Sequence, residues 1–288
     1  MDKIKIGIGV SSIGRFLPVL GKSAGLFERQ DIAVEVVNQQ DEEKVVEDIV
    51  THEAPVGTPN APSLVFSLLQ GNDLLIIGAI LNRPAFFLAA HESIHSITDL
   101  MGKKVGINRP RRMAGIVMLA LLRRWGRSGE DVTLIDLGLN DRSSEALRTG
   151  QIDAALLPPE KAFVAQEEGF RLIADSLGLE CHWVPLVTTR HFLSDNRDLV
   201  ERIVAVYRQS IRLFRAERQM TLDEIARWLP TLASKPQVAE KCYDLFAPRF
   251  EETLMPSVIS LNGILHEVAL QDPRAGSLIS ESLIATTL

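Results

Sequence analysis

Residues 99–125 read DLMGKKVGINRPRRMAGIVMLALLRRW. Residues 103–108 carry the short apolar pattern of a strand, and residues 113–122 are apolar over a length beyond a typical strand, which predicts a buried helix. Between them lies a polar turn, residues 108–112, that holds Arg109, Arg111 and Arg112. In an open α/β sheet, ligands collect where strands end and helices begin, because a helix N-terminus presents unpaired N–H groups and partial positive charge. A turn of this composition points to an anionic ligand. The other reading these residues allow is a solvated basic loop that caps a structural helix.

Upstream, Ile4, Ile6, Ile8 and Val10 alternate with Lys5, Gly7 and Gly9, which predicts a strand closing on the polar turn 11–14. A helix over 16–25 and a strand over 32–36 complete a β-α-β unit, so a parallel sheet begins here. The spacing then predicts a charged amphipathic helix over 41–51, a second polar turn at 55–60, a helix over 62–70 and a continuous apolar strand over 74–80 of the kind buried on both faces. Residues 81–84 connect that strand to another apolar run, 85–90, and read as a crossover between domains.

Downstream, strands are expected at 132–137, 152–157, 171–174 and 183–188. A helix over 145–149 is capped by Ser143 or Ser144, and Pro158 and Pro159 open another. A second crossover falls near Thr189. From Ser194 the pattern is helical: 198–214, a capping box of Thr221 with Glu224, then 236–246 and 258–268. These helices are expected to cover the first domain. The fold class is therefore α/β, with two sheet-based domains joined by two strands and a cleft between them.

At 288 residues the chain is long enough for two domains of ordinary size. Charged residues make up 24% and the formal net charge is −6, so nothing argues for nucleic acid, where a strongly basic face is expected, and any anion site is local. Cys181 and Cys242 stand too far apart for a spaced metal or redox motif. His182 neighbours Cys181, but adjacent positions on a strand point to opposite faces, which argues against a catalytic pair. His91 and His95 have metal-ligand spacing only on a helix, and their segment follows a strand, so a surface loop is expected; no metal or cofactor is called for. No apolar run reaches membrane-spanning length. The chain opens almost at once with a strand and shows no secretory signal, consistent with a cytoplasmic protein or with a mature exported form whose signal was removed.

Three phrases, GLFERQDIAVEVV at 25–37, SITDLMGKKVGINRP at 96–110 and EALRTGQIDAALLPPEKA at 145–162, stand in an order and spacing that resemble one family. It is the substrate-binding proteins of ABC importers, in the NMT1/THI5-like branch that carries alkanesulfonates, taurine, nitrate and thiamine-pyrimidine precursors. The resemblance implies a type II periplasmic-binding-protein fold with parallel or mixed sheets and a ligand cleft between two lobes. Lobe 1 would comprise 1–83 and the mostly helical 189–288, and lobe 2 would be 84–188. The family's ligand-binding turns at the carboxyl ends of strands match Ser11, Ser12, Thr58, Asn60, Asn82, Asn108, Arg109, and Pro158 to Glu160 here. One departure stands out: where many relatives have a small Gly/Ser turn before the central helix, this chain has RPRRMAG.

Those turns supply hydroxyls, amides and helix N–H groups for an acid head group, with Arg109 or Arg111 adding a bidentate charge-assisted pair. Phe16, Met113 and Leu157 would line the apolar part, while Arg112 and Arg124 face solvent. Glu160, if it faced the pocket, would oppose an anion. The expected function is an extracytoplasmic solute-binding protein for a small sulfonate or carboxylate, working as a monomer with a membrane permease as partner. The alternative is a cytoplasmic enzyme on the same fold, since fold alone does not set function. A desulfinase-like mechanism would need a Cys in the turn after the first strand and an Arg-Gly-Gly motif, and the chain has neither. Two isolated cysteines also fall short of the cysteine-rich iron motif of thiamine-pyrimidine synthases. A lyase like those of the menaquinone pathway stays open as the enzyme reading.

Overall fold

The computed structural model describes residues 1–138 and 140–285. The chain divides into two compact units: Met1–Asn82 together with the chain from Cys181 onward, and Arg83–Glu180.

In unit 1 the strands are β1 (Asp2–Ile8), β2 (Ile32–Asn38), β3 (Val56–Thr58) and β4 (Leu74–Leu81), with helices α1 (Leu17–Ser23), α2 (Glu42–Val50) and α3 (Ala61–Leu69) between them. Unit 2 follows as β5 (Phe87–Ala90), β6 (Lys104–Ile107), α4 (Met113–Arg124), β7 (Thr133–Asp136), α5 (Asn140–Arg148), β8 (Ala154–Leu157), α6 (Pro159–Glu167) and β9 (Arg171–Asp175). The chain then returns to unit 1 as β10 (Val184–Thr189), α7 (Arg190–Asp195), α8 (Arg197–Ala216), α9 (Arg218–Trp228), α10 (Pro230–Ala233), α11 (Pro236–Phe246) and α12 (Val258–Ala269).

The two five-stranded sheets run β2-β1-β3-β10-β4 and β7-β6-β8-β5-β9. Within each unit this is one order: second, first, third, the strand arriving from the other unit, fourth. The arriving strand is antiparallel, since β10 opposes β3 and β4 while β5 opposes β8 and β9; the remaining pairs are parallel. Both sheets are therefore mixed.

Several expectations change. The stretch 55–60 is not a plain polar turn, because Val56–Thr58 pairs with Ile6, Gly7 and Ile8 and all three of its residues are buried. Glycine serves a purpose there: a Cβ on Gly57 would lie 2.9 Å from both the Gly7 carbonyl oxygen and Val45, so glycine lets α2 press onto β1 and β3. The return crossing comes at Cys181 rather than near Thr189, since β10 is inserted between β3 and β4 as part of the first sheet. Helix α5 begins at Asn140, ahead of Ser143. Thr221 does not cap a helix; it lies inside α9, fully buried, and its hydroxyl donates to the Phe214 carbonyl at 3.4 Å.

The outer strand β4 is buried over its whole length. Its open edge is covered by later chain, with Ala79 N–H donating to Leu254 O at 2.7 Å and Ala285 N–H to Ile76 O at 2.9 Å, which removes a row of exposed ladder groups. The C-terminal helices form the rest of this core. Phe214 of α8 stacks on Tyr243 (5.0 Å between ring centroids) and meets Phe250 (4.9 Å) and Phe16 (6.4 Å) edge-on. Unit 2 has its own core, built from Ala89, Leu137, Leu147, Ile152, Leu157 and Ala162.

Candidate functional site

Strand order reverses between β1 and β3 in unit 1 and between β6 and β8 in unit 2. Crevices open at the carboxyl ends of strands at such points, and helix N-termini face them. The sequence-derived residues gather at these ends, apart from Asn82.

In unit 1, Ile8 and Thr58 are register partners, so the turns after β1 and β3 emerge side by side. The first turn runs through Ser11 and Ser12 into a short 3-10 turn, Ile13–Arg15. Arg15 is buried; its Nη2 lies 2.7 Å from Glu42 Oε1, and its Nε donates to the Thr58 carbonyl at 3.2 Å. The other Glu42 oxygen accepts the Asn60 N–H at 2.7 Å. Asn60 in turn caps α3, its side-chain oxygen accepting the Ser63 N–H at 2.9 Å. One buried ion pair thus joins three turns. The Ser12 hydroxyl (residue 5% exposed) and the Thr58 hydroxyl (0%) have no hydrogen-bond partner among the described residues. Buried polar atoms in folded proteins are rarely without a hydrogen-bond partner. Ser11 is already engaged, its hydroxyl accepting from Asn38 and, at 3.3 Å, from Gln40.

Asn82 is engaged within the chain, and Phe16 leaves the set. Asn82 accepts the Ser257 N–H at 2.8 Å and donates to Met255 O at 3.0 Å and to Glu251 at 3.4 Å, so its amide anchors the loop ahead of α12. Phe16 is fully buried against Phe214 and belongs to the core rather than to a ligand-facing surface.

In unit 2, Asn108 follows β6, and its side-chain oxygen is buried without a hydrogen-bond partner among the described residues. Arg109 adopts φ +60°, and its N–H donates to Asp136 at 3.0 Å; the same carboxylate oxygen takes the Gly138 N–H at 2.9 Å. The arginine turn is thereby pinned to the end of β7. It closes with Arg112 N–H donating to Arg109 O at 3.1 Å, and Arg112 is the capping residue of α4. Gly115 makes this turn possible, because a Cβ there would stand 2.4 Å from the Arg109 carbonyl oxygen. Arg109 and Arg111 are exposed, and Met113, the first residue of α4, is buried. After β8, Pro158 and Glu160 are buried at the start of α6. Leu157 is fully buried in the unit 2 core and lines no crevice.

Arg15, Glu42 and Trp183 were not singled out by the sequence. Trp183 stacks on Phe246 at 6.2 Å and approaches Gly14, its Cη2 lying 3.7 Å from where a Cβ would stand. Glu42 reads as an ordinary acid in a helix first turn, and nothing local marks its pairing with Arg15. Burial raises the Cys181 thiol to about 12 and lowers His182 to about 3, which leaves both neutral at pH 7 and unsuited to thiolate chemistry. Gly21 to Gly25 reads GKSAG and has nucleophile-elbow spacing, but Ser23 is the exposed last residue of α1 rather than part of a strand-to-helix turn. Among the described residues, no three His, Cys, Asp or Glu side chains converge as a metal site, and no helix is long and apolar enough to cross a membrane.

Two α/β units, each a mixed five-stranded sheet in the same order, define the type II periplasmic-binding-protein fold. The periplasmic aliphatic sulphonate binding protein SsuA from Escherichia coli is similar over 100% of this chain and 93% of its own, with TM-score 0.83 and 18% identity. The alkanesulfonate-binding protein SsuA from Xanthomonas axonopodis pv. citri, bound to MOPS, is similar over 100% and 99%, with TM-score 0.80 and 17% identity. A zinc-bound ligand-binding component of an ABC-type import system from Staphylococcus aureus is similar over 99% and 97%, with TM-score 0.80 and 11% identity. In sequence, the profile of the NMT1/THI5-like family matches residues 17–219, and the chain belongs to that family. No curated protein matches it in sequence.

Proposed function

We propose that this chain is the solute-binding component of an ABC importer, acting outside the cytoplasm as a monomer and delivering a small organic anion of sulfonate or carboxylate type to a membrane permease. One observation carries the reading: the buried side-chain oxygens of Ser12, Thr58 and Asn108 lack partners among the described residues, and all three stand at the carboxyl ends of strands where sheet order reverses. Polar atoms so placed can take up a ligand's hydrogen bonds. Arg109 and Arg111, with the N-terminus of the 12-residue α4, supply positive charge for the acid group. In this reading Ser11 and Asn60 of unit 1, and Met113, Pro158 and Glu160 of unit 2, also contribute to binding. The binding and transport roles of the structural neighbours favour that reading over catalysis.

The test is a thermal-shift and calorimetric screen against sulfonates, aliphatic and aromatic carboxylates, nitrate and pyrimidines, with the recovered compound checked by mass spectrometry. An acid recovered intact after stabilising the protein is the expected result, and Arg109→Ala then weakens its binding by on the order of 2 kcal/mol, some thirtyfold. Chemical conversion of the compound overturns the reading in favour of an enzyme. Unchanged affinity in Arg109→Ala removes that residue from the site.

A further inference from the structure

Unit 1 assembles the parts of an anion site at the β1/β3 turn, and its own carboxylate already occupies them. The Arg15 guanidinium and the Asn60 N–H, immediately ahead of α3, both point to one place. Gly9 leaves that place open, since a Cβ on it would stand 2.3–2.6 Å from the Glu42 carboxylate atoms. Glu42 fills it with one oxygen on Arg15 and the other on Asn60, and the two side chains are only 3% and 6% exposed. Ser12 and Thr58, at the same strand ends, keep buried hydroxyls without partners among the described residues.

We infer that Glu42 is a resident carboxylate, which occupies this position in place of a ligand acid group and makes unit 1 selective for a neutral hydrogen-bonding group at Ser12 and Thr58. The ligand part of this inference rests on the solute-binding reading; occupation by Glu42 rests on the geometry alone. A ligand carboxylate brought to this turn meets a guanidinium already neutralised at 2.7 Å and a like charge in a desolvated setting. A ligand hydroxyl or amide that reaches Ser12 or Thr58 meets a group that both donates and accepts. Glu42 is thus a specificity-determining residue that acts by occupation.

The experiment compares melting temperatures of the full chain as wild type, Glu42→Ala, and Arg15→Met combined with Glu42→Leu, each in sodium formate and in sodium chloride of equal ionic strength. A small carboxylate that enters the vacated place binds only the folded form and stabilises it by mass action. Formate is expected to raise the melting temperature of Glu42→Ala by several degrees over chloride and to leave the wild type and the double variant unmoved. If Glu42→Ala fails to fold in chloride, the readout becomes refolding yield, expected to recover in formate alone. Absence of rescue in Glu42→Ala, or an equal formate response in the wild type, overturns the inference. Because no transported solute enters this experiment, its failure is distinct from failure of the solute-binding reading.

Discussion

His182 is a fully buried imidazole whose two ring nitrogens have no hydrogen-bond partner among the described residues. Its backbone N–H donates to Ser260 O at 2.8 Å, which fixes it where the chain re-enters unit 1. Burial lowers its pKa from 6.5 to about 3, so the unfolded chain binds a proton that the folded chain refuses throughout that window. Stability contributed by the neutral ring is complete above pH 6.5 and is lost as pH falls towards 3. Between pH 7 and pH 5 the expected loss is about 2 kcal/mol. Urea unfolding at the two pH values measures it, and His182→Leu should flatten the difference; an equally steep dependence in that variant assigns it elsewhere. At this scale the sequence marked Ser12, Thr58 and Asn108 as polar groups at strand ends. It gave no sign of how the Asn82 amide is engaged, because that amide's partners lie 169 to 175 positions along the chain.

Helix α4 and the turn before it behave as one element. The turn folds back over the helix start, Arg109 is held at φ +60° by Asp136, and Gly115 vacates the space that the Arg109 and Pro110 backbone occupies. Backbone atoms 2.4–2.8 Å from an added Cβ do not yield as a flexible side chain does. Gly115→Ala is therefore expected to cost about 1–3 kcal/mol by denaturant unfolding and to weaken binding of whichever acid the screen finds, since the arginines move with the turn. Unchanged stability would show that the turn adjusts freely. The helix itself was legible from its apolar run, whereas β3 was not. Three residues flanked by prolines carry no strand period, and only pairing with β1 and the cover of α2 make them a strand.

Over the whole molecule, unit 2 is one continuous stretch and unit 1 is two. Residues 83–180 contain a complete sheet and a separate hydrophobic core, so they are expected to fold when expressed alone, with a cooperative thermal transition by circular dichroism. A broad, non-cooperative melt would mean that this core depends on the rest of the chain. Unit 1 cannot be excised as one segment, because β10 and the helices after it complete its sheet and core.

Local periodicity and turn chemistry by themselves determined the α/β class, most of the strands and helices, the change to helices after Ser194 and the location of polar turns at strand ends. These properties are written in neighbouring residues, where side-chain period and Gly, Pro and Ser placement act directly. The tertiary structure alone decided the strand order, the return at Cys181, the burial of Phe16 and Leu157 in cores, and the capture of Asn82 by the loop ahead of α12. It also decided that Arg15 and Glu42, 27 positions apart, pair at the strand ends that carry Ser12 and Thr58. The physical reason is that burial and pairing depend on which distant groups a fold brings within hydrogen-bond reach, and a sequence window holds no term for them.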